Sequence, residues 1–362
     1  MIKNVALTNF KCFDHISLPF SRINVLTGLN SMGKSSVIQS LLLLKQSYEE
    51  GHGRKLNLNG HYVRLGWGRD VLYEKAETEQ IGISVVEQGN SYNLRYDYVA
   101  DADFLLPIKD SDNVEMLADL SRRLFYLSAF RIAPQDSYTL TSRALLENRQ
   151  FGSSGEFSLH YLNIFGSNSV KNRHMLLGSE DQNSLLRQVS MWMDYISPGT
   201  NVHVDIDEEI KISELRYSFT EGKDRTNRYR CTNVGFGLTY VLPIIVLLLS
   251  AKSGDIVMLE NPEAHIHPAG QSKLGELLAR AAADNIQVIV ETHSDHVLNG
   301  IRLAAKTQIL RPEDIQIMFF CKDNEDGGQH KVLFPKVDVH GHLDQWPAGF
   351  FDEWDNMLMQ LI

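Results

Sequence analysis

The sequence predicts an α/β fold with a mixed, partly parallel sheet, an antiparallel β lobe and a helical and β insertion. Three observations predict it. A short aliphatic segment, a glycine-rich loop and a helical pattern follow one another between residues 23 and 45. Short segments of period two lie between residues 60 and 99. From about residue 233 to 306 the pattern alternates helix, strand, helix, strand, helix, the order expected of a parallel sheet.

Taken in order, residues 2–7 and 23–27 read as strands, short and rich in aliphatic or β-branched residues. A helix is expected from Ser35, where Val37, Ile38, Leu41, Leu42 and Lys45 fall at helical spacing, and Leu43 and Leu44 widen the apolar face until burial on most sides is implied. Residues 81–86 and 92–96 predict an antiparallel meander, and 124–130 a buried strand. Between 134 and 230 the clusters Gly152-Ser153-Ser154-Gly155, Gly166-Ser167-Asn168-Ser169 and Pro198-Gly199 interrupt any heptad pattern, which argues against a long coiled-coil arm. Residues 241–249, with Pro243, predict a buried helix; 256–259, 287–290, 315–321 and 331–334 predict strands. The expected division is an N-terminal lobe 1–135, an insertion 136–230, a C-terminal lobe 231–310 and a terminal module 311–362.

Composition narrows the class. With 43% hydrophobic and 22% charged residues, the 362-residue chain can bury a substantial core. A formal net charge of -10 argues against a uniformly basic surface that coats nucleic acid, so any such contact must be local. Cys12, Cys231 and Cys321 are far apart with no CxxC pair, which suggests neither a zinc site nor a disulfide framework and fits a reducing cytoplasm. The N-terminus lacks a signal-peptide pattern, and the longest apolar run is far below the roughly 20 residues that span a bilayer.

Gly28-Leu29-Asn30-Ser31-Met32-Gly33-Lys34-Ser35 fits GxxxxGKS, after an expected strand and before an expected helix. The glycines let the backbone curl so that N–H groups point at phosphate oxygens, and the helix N-terminus adds its positive end. Lys34 is expected at the β and γ phosphates of ATP, and the Ser35 hydroxyl on Mg2+. Gly28, Asn30, Ser31, Gly33, Lys34, Ser35 and Ser36 form the candidate phosphate-binding set. Further along, residues 256–260 form an apolar strand ending in Glu260, a placement suited to a carboxylate beside Mg2+.

Asn261-Pro262-Glu263-Ala264-His265-Ile266-His267-Pro268 and Val288-Ile289-Val290-Glu291-Thr292-His293-Ser294 resemble the Walker B, D-loop and switch-histidine segments of ABC-type ATPases. Leu7-Thr8-Asn9-Phe10-Lys11-Cys12-Phe13, with the Asn30 loop, resembles the SMC, RecF and OLD group. Asn233-Val234-Gly235-Phe236-Gly237 stands where that group carries its signature, spelled differently from the usual Ser-Gly-Gly. Trp346-Pro347-Ala348-Gly349-Phe350-Phe351-Asp352 resembles the C-terminal module of a bacterial ATPase family often found in anti-phage defence loci.

The resemblance implies an ABC-type head in which each ATP lies between Lys34 of one subunit and Asn233, Gly235 and Gly237 of the other, giving a head-to-tail homodimer that could assemble further. It also implies a γ-phosphate sensor at His293 and a metal-contacting glutamine at Gln135, although Gln135 reads equally well as a polar loop residue. The pattern Asp-Glu-Pro becomes Glu260-Asn261-Pro262 here, and asparagine cannot act as the usual general base. Glu263 is the nearest replacement, and Glu260 could combine metal positioning with water activation, so slow hydrolysis is expected.

Three weaker signals carry alternatives. His265, His267 and His293 with Glu260 could form a metal cluster, but orienting the turn at the dimer seam is the better account of His265 and His267. Asp205-Ile206-Asp207 is similar to the paired acids of the nuclease domain attached to OLD proteins, yet it precedes the second half of the core on an apparent hairpin and reads better as a solvated turn. Lys223, Arg225, Arg228 and Arg230 could touch nucleic-acid phosphates or be solvated. The leading expectation is an ATP-switched dimer controlling a separate effector protein. The alternatives are an ATP-dependent DNA or RNA sensor or clamp, and a hydrolysis-dead scaffold.

Overall fold

Residues 1–51, 53–109, 111–112, 118–207, 209–222, 224–322 and 330–361 are described by a computed structural model. They form two units: residues 1–124, 313–336 and 343–362 make the first, and 125–312 with 337–342 the second.

The first unit is built on an antiparallel sheet in the order Phe13–Pro19, Ile2–Phe10, Gln80–Glu87, Asn90–Asp97, Phe104–Pro107, Leu56–Asn57. Its register sets Val5 opposite Val85 and Leu7 opposite Ile83. All four are fully buried, so the period-two pattern reports one core-facing side. Ile23–Gly28 is instead buried from Ile23 through Thr27, as a parallel strand covered on both faces should be. It runs parallel to Ile315–Lys322, with Gly28 opposite Phe320, and His330–Leu333 extends that pair antiparallel. The helix Lys34–Gly51 buries twelve of its eighteen residues, as its leucine run predicts. In the terminal module Phe350 is buried, its ring 5.3 Å from Phe319, 5.4 Å from Trp346 and 5.0 Å from Phe351.

In the second unit Ile256–Glu260 pairs in parallel with Gln287–Glu291, which brings Glu260 level with Glu291, and has Leu124–Leu127 as its other neighbour. The helices Pro268–Ala283 and Asp295–Lys306 follow the two parallel strands. The helix Phe236–Ser250 buries every residue from Val241 to Leu249, Pro243 included. A hairpin of Thr200–Asp207 and Ile212–Glu221 carries the short strands Tyr138–Thr139, Asp224–Arg225 and Tyr229–Arg230. Between residues 134 and 230 the longest helix among the described residues is Leu185–Ile196, 12 residues that pack on the helix Phe236–Ser250. The architecture is a mixed α/β head with parallel and antiparallel sheets and no long coiled coil evident among the described residues. No helix of the described residues is long and apolar enough to cross a membrane.

One expected element is shorter than predicted. The strand ends at Leu127 rather than continuing to residue 130, and Phe130 is 88% exposed while Arg131 is 3% exposed. Hydrogen bonds outrank hydrophobicity here. Ser128 N–H donates to Ser153 O, and the guanidinium that follows turns inward to bond backbone carbonyls, leaving the aromatic ring outside.

Candidate nucleotide-binding and acidic sites

In the first unit the strand Ile23–Gly28 delivers the chain into a tight loop. Gly28 has φ +129° and Gly33 φ +103°, and a Cβ at either would collide, at Gly28 with the Phe320 carbonyl and at Gly33 with the Phe13 ring and Cys12 Sγ. Ser31 is also left-handed, at φ 63°. Helix bonds begin at once, from Ser36 N–H to Gly33 O at 3.1 Å. Lys34 is buried, and its Nζ donates to the carbonyls of Gly28 and Leu29, each at 2.8 Å. The ammonium is thus folded over a loop whose backbone leaves no room for side chains at both glycines, the geometry that lets backbone N–H groups close on a phosphate. Asn30, Ser31 and Ser35 are exposed at this mouth, whereas Ser36 is buried with Oγ 3.9 Å from Cys12 Sγ.

In the second unit the strand Ile256–Glu260 ends in a half-buried carboxylate. Burial pushes Glu260 above the usual carboxylate range, while the Ala129 N–H at 3.4 Å, the Tyr126 hydroxyl and the Arg131 charge pull it back. Asn261 follows in a left-handed conformation at φ 42°, its N–H donating to Glu291 O at 2.8 Å. Glu263 then reaches across to the second parallel strand. Its Oε2 accepts from Thr292 Oγ1 and its Oε1 from His293 N–H, both at 2.8 Å.

That contact is one part of a longer chain of bonds. Ser294 caps the helix Asp295–Lys306 by accepting from Val297 N–H at 3.1 Å, and its hydroxyl donates to Gln271 Oε1 at 2.6 Å. Gln271 Nε2 in turn donates to Ile266 O at 2.8 Å, closing a ring that ties the acidic turn to the histidine. The arrangement brings Glu263 and His293 together. Gln271 carries no motif of its own and escapes a reading of the sequence, and Thr292 and Ser294 flank the expected sensor His293 without an assigned role there.

The neighbouring histidines also have defined places. His265, left-handed at φ 63°, packs against Tyr240 at 4.9 Å and Phe236 at 5.9 Å, and His267 Nδ1 accepts from Ala269 N–H at 3.3 Å as the N-cap of Pro268–Ala283. Among the described residues no three of His, Cys, Asp and Glu gather as a metal centre.

Gly235 and Gly237 of the glycine-rich segment differ. A Cβ on Gly237 would meet the His265 carbonyl at 2.2 Å, so that residue must be glycine for the helix Phe236–Ser250 to seat on the acidic turn. Gly235, the N-cap, meets nothing within 4 Å and is exposed, as is Asn233. Gly237→Ala is therefore expected to cost about 1–3 kcal/mol of stability by forcing backbone apart, whereas Gly235→Ala, at φ -59°, should leave the melting temperature unchanged. Thermal denaturation of the two variants checks this; equal melting temperatures would mean the contact is not retained.

Gln135 is exposed, its N–H donating to Tyr138 Oη at 3.2 Å and its carbonyl accepting from Cys231 Sγ at 3.1 Å. In the basic segment Lys223 lies outside the described residues; Arg228 sits 3.9 Å from Asp205, and Arg230 3.5 Å from Asp136. Those acids offset part of the positive charge, and exposed pairs of this kind contribute about 0–1 kcal/mol each. Asp205 and Asp207 lie on the strand Thr200–Asp207 of the hairpin.

These features define a P-loop NTPase head. Residues 23–299 match the family described as "AAA domain, putative AbiEii toxin, Type IV TA system", and the chain belongs to that family. Residues 310–361 match a second family, described as a protein of unknown function (DUF3696). The DNA replication and repair protein RecF of Clostridium acetobutylicum is 32% identical over 82 residues, 21% of this chain and 23% of RecF. The Old nuclease of Escherichia phage P2 is 26% identical over 89 residues, 25% of this chain and 13% of that nuclease. This chain thus spans under a quarter of either relative. Among solved structures, the SMC head bound to the C-terminal winged-helix domain of ScpA aligns with a TM-score of 0.58 at 13% identity, over 93% of this chain and 98% of that one. An SMC head with an extended coiled coil, bound to the C-terminal domain of ScpA from Pyrococcus furiosus, aligns with a TM-score of 0.53 at 13% identity, over 99% of both. The fold is that of an SMC-type head.

Proposed function

We propose that this protein binds and slowly hydrolyses ATP, that ATP pairs two copies head to tail, and that the paired state controls a separate effector in bacterial anti-phage defence. The phosphate loop carries the reading: its two left-handed glycines and the Lys34 ammonium held over Gly28 and Leu29 form a cradle for a polyphosphate. In the proposal Lys34 faces the β and γ phosphates, and Asn30, Ser31, Ser36 and the backbone N–H groups orient them. Mg2+, when bound, would neutralise phosphate charge; the oxygens of Ser35, Glu260 and Gln135 are the hard donors such an ion takes. The resemblance to ABC-type ATPases assigns the loop and Glu260 to one nucleotide.

Glu263 is assigned to proton transfer from the attacking water, since Asn261 cannot serve, and Glu260 remains able to do both tasks. His293 is assigned to the γ-phosphate, and the Glu263 bond to its N–H couples sensing to the acidic turn. Glu263→Gln replaces an acceptor by a donor facing either Thr292 or His293 and removes the base. Turnover should fall about a hundredfold with ATP binding spared. Phosphate release and nucleotide titration check it; an unchanged rate in Glu263→Gln, together with loss in Glu260→Gln, would assign both tasks to Glu260.

Pairing is supported by the exposed Asn233 and by the exposed Gly235, where an added Cβ would meet open space. The defence role rests on the resemblance of the terminal Trp346-to-Asp352 segment and on the family description alone. The second reading, a DNA or RNA clamp, draws on exposed Arg225, Arg228 and Arg230 and on the name of the RecF relative. A gel shift with and without ATP separates the two: ATP-dependent retention of nucleic acid favours the clamp, and none, with phosphate release intact, favours control of an effector. Absence of phosphate release by the parent protein would leave the hydrolysis-dead scaffold.

A further inference from the structure

We propose that Arg131 is a positioning residue of the ATPase, holding the end of the strand Ile256–Glu260 and the Asn261 turn in the arrangement that turnover requires. The inference rests on the assignment of Glu260 to the reaction. Arg131 lies in no recognised motif, and it is the residue whose burial shortens the preceding strand.

Its hydrogen bonds are directed. Nη1 donates to Glu260 O at 2.8 Å and to Ser128 O at 3.0 Å, and Nη2 donates to Asn261 O at 2.6 Å. One planar guanidinium thus grips two successive carbonyls at the point where the strand ends, a fork that an ammonium cannot reproduce. The same loop holds the side chain as well, through Ala129 N–H on Glu260 Oε2 at 3.4 Å. Main chain and carboxylate of Glu260 are therefore both set by residues 128–131.

The turn being held has an uncommon backbone. Asn261 is left-handed at φ 42°, a conformation that asparagine tolerates better than most L residues. It is fixed on one side by its N–H on Glu291 O, and on the other by Arg131 on its carbonyl. Two residues further on Glu263 clasps Thr292 and His293, so a shift at Asn261 would displace both acids and the histidine.

Burying a guanidinium to bond carbonyls is costly, and this one is only 3% exposed. Burial pulls Arg131 down to about 10, and the charges of Glu263 and Glu260 act to hold its proton. The charge remains in place at neutral pH, surrounded by the groups assigned to the reaction. A comparison arginine holds the other end of the same strand: Arg149 pairs with the buried carboxylate of Asp255, which precedes Ile256, and stacks at 4.5 Å on Phe125.

Arg131→Lys and Arg149→Lys, made in the full chain, test the proposal by nucleotide titration and by phosphate release at saturating ATP and Mg2+. Arg131→Lys is expected to bind ATP within about twofold of the parent and to lose about tenfold or more in kcat, as small misplacements of reacting groups do. Arg149→Lys should keep its kcat. Parent-like turnover in Arg131→Lys, a loss seen only in KM, or an equal kcat loss in Arg149→Lys would overturn the assignment. If Arg131→Lys melts below the assay temperature, Arg131→Gln, which keeps one donor for the carbonyls, replaces it; unfolding of both would make Arg131 a stability residue and overturn the proposal too. Glu260→Gln, run alongside, separates the layers: normal turnover there refutes the Glu260 assignment itself, whereas loss there with normal Arg131→Lys refutes only the positioning role.

Discussion

Lys34→Ala is expected to weaken ATP binding by about a hundredfold, the upper end of what a charge-assisted hydrogen bond contributes. The reason is geometric as well as electrostatic. Lys34 is 3% exposed, and its ammonium is held by the Gly28 and Leu29 carbonyls over the loop, so little ordering cost remains when a phosphate oxygen joins them. Alanine removes the charge and both bonds, leaving a cradle of backbone donors and a helix N-terminus to face the whole negative charge of the nucleotide. Circular dichroism should show a folded protein, because the helix Lys34–Gly51 keeps its leucines packed. Fluorescent-nucleotide titration reads the effect. Parent-like affinity would mean that nucleotide binds elsewhere, or that the lysine acts only after binding.

Legibility in the sequence followed the distance over which each feature is built. The phosphate loop is local: two glycines, a lysine and a serine within eight residues, with strand and helix on either side, and the structure places them at the strand end and helix start that the pattern implies. The strands ending at Glu260 and Glu291 were legible for the same reason, as aliphatic runs too short for anything but buried parallel strands. The clasp of Glu263 on Thr292 and His293 spans 29 residues and depends on parallel pairing that brings the two strand ends level, so no local pattern announces it.

Arg131 and Phe130 show a different limit. Residues 124–130 are mostly apolar, and a hydrophobic window extends the strand through them; the backbone carbonyls of Ser128, Glu260 and Asn261, which attract the guanidinium and reverse the two side chains, are invisible to such a window. Gly235 and Gly237 likewise look alike in sequence. Only the close approach of the His265 carbonyl separates a glycine that the fold demands from one facing open space.

That open space bears on pairing. Gly235 stands exposed at the start of the helix Phe236–Ser250, beside the half-exposed ring of Phe236. An arginine there would keep the helix, since the position is an N-cap in an ordinary φ, -59°, and no atom lies within 4 Å of an added Cβ. Its bulk and charge would nevertheless occupy the surface to which, in the proposed pair, the second head brings its nucleotide. The substitution changes no residue of the phosphate loop and meets no atom of the fold, so binding to that loop should survive.

The most direct test is therefore light scattering and nucleotide titration on the same samples of parent and Gly235→Arg, with and without ATP. The account predicts that the parent doubles its mass on adding ATP, while folded Gly235→Arg binds ATP within about twofold of the parent and stays at monomer mass with most turnover lost. A parent whose mass ignores ATP, or ATP-driven association that persists in folded Gly235→Arg, would contradict it.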